Sequence, residues 1–265
     1  MSFLDHIKEL VYRLRMILYS VIISSIAVMF IPVGFDFTNI SAQNPFYTTI
    51  TSYVITNLQN NFLPEEAELL PMSFLAPLEV YVFVSLILGV IISLPVISYE
   101  LYRFINPALY VHEKKAIYQF VASFFGLFVF GFVLGYFLIL PASMRMLFLF
   151  TQLLDLPPIY EFATFFSLVG FTLLLCGLLF TFPTYIVLLV KAGIVKVNSL
   201  TKNRRYLYGG LIVAIAILDP EPGLLTEALV FIPLVILTEI SIAISKRIER
   251  DRDAREQPDD SKASS

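Results

Sequence analysis

Two glutamates in this chain sit where a carboxylate could do chemistry. Glu9 lies in the amphipathic stretch FLDHIKELVYRLRMIL, and Glu113 in FINPALYVHEKK, Phe104–Lys115, a basic and aromatic segment between two long apolar runs. A carboxylate beside a low-dielectric boundary is a good receptor for guanidinium, because it accepts two parallel hydrogen bonds from one arginine. Two carboxylates on neighbouring segments could hold two arginines. A local alternative stands beside this reading: Glu9 and Glu113 pair with Arg13 and Lys114 on a solvated face. No enzyme constellation accompanies them. His6 and His112 lack metal-ligand spacing, and no GxSxG, HExxH or glycine-rich phosphate loop occurs. Cys176, the single cysteine, falls inside an apolar run and reads as a small core residue. Catalytic residues, metal, cofactor and nucleic-acid partner are therefore not expected.

The elements that must position these glutamates belong to a membrane. Of 265 residues 58% are hydrophobic and 15% charged, with a mean hydropathy of +0.81. Several segments exceed the ~18 apolar residues that argue for a spanning helix. Continuous rather than alternating runs favour helices over a barrel. The expected fold is an all-α polytopic membrane domain over residues 1–245. Its six spans lie near 16–33, 78–101, 116–140, 162–190, 206–218 and 224–245. Residues 246–265 form a charged tail that begins as a helix extension and ends disordered. The first apolar run lacks a small-residue cleavage site and reads as a retained span.

Lysine and arginine set the expected orientation. Seventeen fall at the two termini and in the segments around 103–115 and 191–205, and Arg145 alone falls on the other side. Both termini are thus expected to be cytoplasmic. The segment 35–72 carries Asp36, Glu65, Glu66 and Glu68 but no lysine or arginine, and its length suggests a folded cap with short helices.

Two features of the spans bear on function. Thirteen residues separate Arg205 from Asp219, or about 20 Å of helix against a hydrocarbon core of about 30 Å. Such a span implies local thinning or snorkelling of its ends. Pro95, Pro183 and Pro233 interrupt other spans, and kinked helices of this kind can enclose a concave bundle. No ionisable residue is expected at the middle of any span, which argues against a pump or ion-coupled transporter.

These motifs resemble a known family. HIKELVYRL is similar to the amino-terminal H-L-x-E-L-R-x-R-L pattern of the TatC family, the multispanning receptor of the twin-arginine protein translocase. LPVISYELYRFINPALYVHEKK resembles that family's second span and first cytoplasmic loop. LLFTFP resembles its F-E-x-P in the fourth span. GIVKVNSLTKNRRY and ILDPEPGLLTEALVFIP look like the segments that follow.

The resemblance implies a receptor that binds twin-arginine signal peptides of folded cargo at the cytoplasmic face, with Glu9 and Glu113 as carboxylates. It implies that Phe104, Pro107 and Leu109 shape the loop presenting Glu113, and that Arg13 is a retained family residue. The implied setting is a prokaryotic plasma membrane and an oligomeric complex with single-span subunits of the TatA/TatB type, driven by the proton-motive force. Val11 stands where the family pattern has its first arginine, and Thr181 where it has a glutamate. Thr181 could meet a partner helix or bond its own backbone. The competing functions are a small-molecule secondary transporter and a membrane scaffold or insertase.

Overall fold

The computed structural model describes residues 3–35, 47–64, 66–105, 114–218 and 224–256. Nine α-helices and four short strands follow one another in these segments: α1 (Phe3–Phe30), β1 (Pro32–Phe35), β2 (Tyr47–Thr49), α2 (Ile50–Phe62), β3 (Glu68–Leu70), α3 (Ala76–Ile105), α4 (Lys114–Leu134), α5 (Leu140–Leu153), β4 (Ile159–Glu161), α6 (Phe162–Lys191), α7 (Val197–Lys202), α8 (Arg204–Leu218) and α9 (Leu224–Glu256). Five segments are helical, long and apolar enough to cross a membrane: Ile7–Phe30, Ala76–Ile105, Ile117–Leu153, Phe162–Lys191 and Glu227–Arg250. At 15 residues, α8 is shorter than all of them. The described part of the tail continues α9 as far as Glu256.

Helix α6 is the centre of the bundle. Its apolar stretch is 56% buried, against 17% for α1, which lies at the periphery. Val80 and Val84 of α3 pack with Phe166 and Val169 near the start of α6, and Leu94 and Tyr102 pack with Leu188 near its end. Phe180 meets Leu234 of α9, and Ile186 and Val190 meet Ile242. Thus α3, α6 and α9 run in the same direction. Their far ends carry Arg103, Lys191 and Lys246, and this is the basic end of the bundle.

Helices α4 and α5 form one continuous rod joined by a π-helical turn, Gly135–Ile139. The reason is Pro141, the second residue of α5, which has no N–H and whose ring would clash with a regular preceding turn. The wider turn relieves that clash, and Leu140 donates to the Gly135 carbonyl. The helix that the sequence suggested would stop near residue 140 therefore continues to Leu153. Within 35–72, α2 supplies a short helix. Two short strand pairs were not expected: β1 with β2, antiparallel, and β3 with β4, parallel.

The α1–α3 pair is what places Glu9. The two helices are antiparallel, and polar or small residues mark the whole seam. Tyr81 donates to the carbonyl of Met29 at 2.6 Å. Thr51, at the start of α2, lies 2.9 Å from Ser85 and donates to the Val28 carbonyl at 3.3 Å. Ser93 donates to Ser24 at 3.1 Å. Between these, Gly89 faces Ser25 so closely that an added Cβ would stand 2.0 Å from its Oγ and 2.8 Å from its backbone nitrogen. Without a side chain at 89 the backbones approach closely, and the register continues to the basic end.

Candidate functional site

At that end the register brings Arg13 of α1 against Glu100 of α3. Arg13 Nη1 donates to Glu100 Oε2 at 2.8 Å. Its Nε donates to Glu9 Oε1 at 3.1 Å, and Nη2 donates to that same oxygen. Glu9 and Arg13 are one helical turn apart, the spacing at which side chains on one face meet. The Arg13 and Glu100 side chains are each 10% exposed and that of Glu9 is 24% exposed. One guanidinium is thus shared between two carboxylates, and the cluster carries a formal charge of −1.

Burial makes that excess charge matter. Removing ions from water costs several kcal/mol per ion, repaid only where geometry and hydrogen bonding are good. Arg13 meets this with three charge-assisted hydrogen bonds. Of the two readings left open for Glu9, its pairing with Arg13 is present. A freely solvated face is not, since Arg13 is only 8% exposed as a residue.

Glu100 escaped the reading of the sequence. Beside Arg103 near the end of a span it resembled an ordinary surface charge. The usable signal was periodicity: Gly89, Ser93 and Glu100 fall at intervals of four and seven residues, which puts them on one stripe of α3. A glutamate in line with residues small enough for close helix approach is a glutamate that the neighbouring helix will cover.

Phe104 stands one turn beyond Glu100 in α3 and is half-buried. Pro107, Leu109 and Glu113 lie outside the described residues. Thr181 is 1% exposed and donates to the Leu178 carbonyl of its own helix at 2.6 Å.

A second paired glutamate lies in α9. Glu239 stands in the apolar stretch short of Lys246, toward the basic end. Tyr208 of α8 donates to Glu239 Oε1, and Nη1 of Arg204, the first residue of α8, lies 3.3 Å from the same oxygen.

Lipid-length apolar helices around a buried seam, with one guanidinium shared by two carboxylates at the basic end, define a multispanning membrane protein with an ion cluster between two of its helices. The sequence profile described as Sec-independent protein translocase protein (TatC) matches residues 5–233. TatC of Aquifex aeolicus is 34% identical over 256 residues, covering 95% of this chain and 98% of that protein. TatCy of Bacillus subtilis is 30% identical over 250 residues, covering 94% and 91%. A crystal structure of the twin arginine translocase receptor TatC superposes with a TM-score of 0.71 at 32% identity, covering 92% of this chain and 99% of that one. The chain belongs to the TatC family of protein translocase components.

Proposed function

We propose that this protein is the receptor subunit of a twin-arginine translocase, binding signal peptides of folded cargo through carboxylates at the basic end of its bundle. Family membership supports the assignment. The observation that carries the chemistry is the pairing of Glu9 with a guanidinium, that of Arg13, in a largely buried site. A carboxylate so placed is matched to the side chain it is proposed to receive. Glu113 is the second receptor carboxylate in this reading, with Phe104, Pro107 and Leu109 shaping its loop. The single-span partners are of the TatA/TatB type.

The proposed orientation follows the lysine and arginine asymmetry. Six helices, including the short α8, cross a prokaryotic plasma membrane with both termini inside. Single cysteines at positions 50, 155 and 223, in a Cys176-free background, are expected to label from outside intact cells. Labelling of any of them only after lysis overturns that topology.

Recognition is tested by the affinity of a twin-arginine peptide for purified, detergent-solubilised protein at fixed salt. Truncating one partner of a desolvated charge pair costs ~2–5 kcal/mol, roughly 30-fold to several-thousand-fold in affinity. An exposed pair costs under about 1 kcal/mol. Glu9→Ala and Glu113→Ala are each expected to fall in the first range, and a twin-lysine peptide to bind more weakly than twin-arginine. Alanine variants that both bind within about twofold of the parent would remove the two carboxylates from the site.

A further inference from the structure

The cluster described above holds more negative charge than its own guanidinium neutralises, and the excess is built in by Glu100. Arg13 uses one oxygen of each carboxylate, Oε1 of Glu9 and Oε2 of Glu100. Among the described residues, Glu9 Oε2 and Glu100 Oε1 accept no hydrogen bond. A carboxylate has room for about four donors over its two oxygens. One buried and one half-buried carboxylate, half-used and joined by a single cation, are poised for a second cation of the same kind.

We propose that Glu100 belongs to the receptor site. With Glu9 it forms one dianionic seat, of which Arg13 fills half and an arriving arginine fills the rest. This rests on the receptor reading and adds a residue and a mechanism to it. Arg13 is a resident strut that holds two like charges side by side before cargo arrives. The incoming guanidinium adds to the cluster instead of displacing Arg13, because expulsion of Arg13 would leave the seat no closer to neutrality. Addition brings the formal charge from −1 to zero. Glu9, the more exposed carboxylate, meets the arginine first, while Glu100 supplies the uncompensated charge that makes its entry favourable.

The test separates charge from shape at position 100 in the full-length, detergent-solubilised chain. Glu100→Gln keeps the size and an acceptor oxygen for Arg13 Nη1 but removes the excess charge. Glu100→Asp keeps the charge and shortens the side chain. The proposal expects Glu100→Gln to weaken twin-arginine peptide binding at least about tenfold and Glu100→Asp to bind more tightly than Glu100→Gln. A purely structural role gives the opposite order, because glutamine is the closer isostere.

Arg13→Gln provides a second readout that does not depend on the Glu100 variants folding. It leaves the seat with two unneutralised carboxylates, so saturating twin-arginine peptide is expected to raise its melting temperature more than the parent's. Glu100→Gln binding within about twofold of the parent, or a peptide-induced shift in Arg13→Gln no larger than the parent's, overturns the proposal. Failure of the parent itself to bind peptide would be a failure of the receptor reading.

Discussion

Arg13 and Arg204 each reach across a helix–helix contact to a glutamate, Arg13 to Glu100 at 2.8 Å and Arg204 to Glu239 at 3.3 Å. The chemistry is the same and the settings differ. Arg13 and Glu100 are each 10% exposed, whereas Arg204 and Glu239 are 43% and 38% exposed. The first pair lies at the end of a seam pinned by Ser93, Gly89, Ser85 and Tyr81. The second lies at a half-exposed edge of the α8–α9 contact. The α1–α3 contact therefore encloses its ions, and the α8–α9 contact leaves its ions at an open edge. A receptor that must present charge before its ligand arrives needs the former arrangement.

The largest expected effect comes from breaking the buried cluster. Arg13→Ala leaves Glu9 and Glu100 facing each other without a cation, and stripping one partner from a buried pair costs about 3–5 kcal/mol. Thermal unfolding of the purified protein should show this as a large fall in melting temperature. A variant that melts with the parent would mean that the cluster is effectively solvated, and the contrast with Arg204 would vanish.

A smaller effect is expected from disturbing the seam without touching a charge. In Gly89→Ala the new methyl must displace Ser25, including its backbone nitrogen, so α1 has to move. Overpacking of this kind costs about 1–3 kcal/mol. The sharper expectation is positional: Arg13 loses register with Glu100, and twin-arginine peptide affinity falls although no receptor residue has changed. Unaltered affinity in a destabilised Gly89→Ala protein would show that Glu9 is positioned by something other than the α1–α3 register.

The difference between the two regions also explains what could be read in advance. Spanning helices were legible because lipid demands long apolar runs, and Glu9 and Arg13 were legible because their spacing is local. Glu100 was not. Its partner is 87 residues away in sequence, and only the docking of α1 on α3 turns an end-of-helix glutamate into a buried one. Glu239 was hidden for a related reason, since its hydrogen-bond partner Tyr208 lies on another helix. The π-helical turn before Pro141 escaped because proline usually marks a helix end, and the widened turn that lets the rod continue leaves no motif of its own. Pairing of β3 with β4, three residues in each strand, depends on contacts far apart in the chain.

The smallest effect is expected at Arg204. Its pair with Glu239 is half-exposed, and pairs of that kind contribute about 0–1 kcal/mol. The Arg204 side chain also carries a cost, because its Nε is buried without a hydrogen-bond partner among the described residues, and an unpaired buried donor costs about 1–3 kcal/mol. Arg204 begins α8, where a cation opposes the helix dipole. Arg204→Ala removes all three contributions together. Glu239 keeps the hydrogen bond from Tyr208, so its carboxylate is not abandoned as those of Glu9 and Glu100 would be. The melting temperature of Arg204→Ala should therefore stay close to the parent's, and far above that of Arg13→Ala. A loss as large as that of Arg13→Ala would mean that lipid seals the α8–α9 boundary as tightly as protein seals the α1–α3 seam.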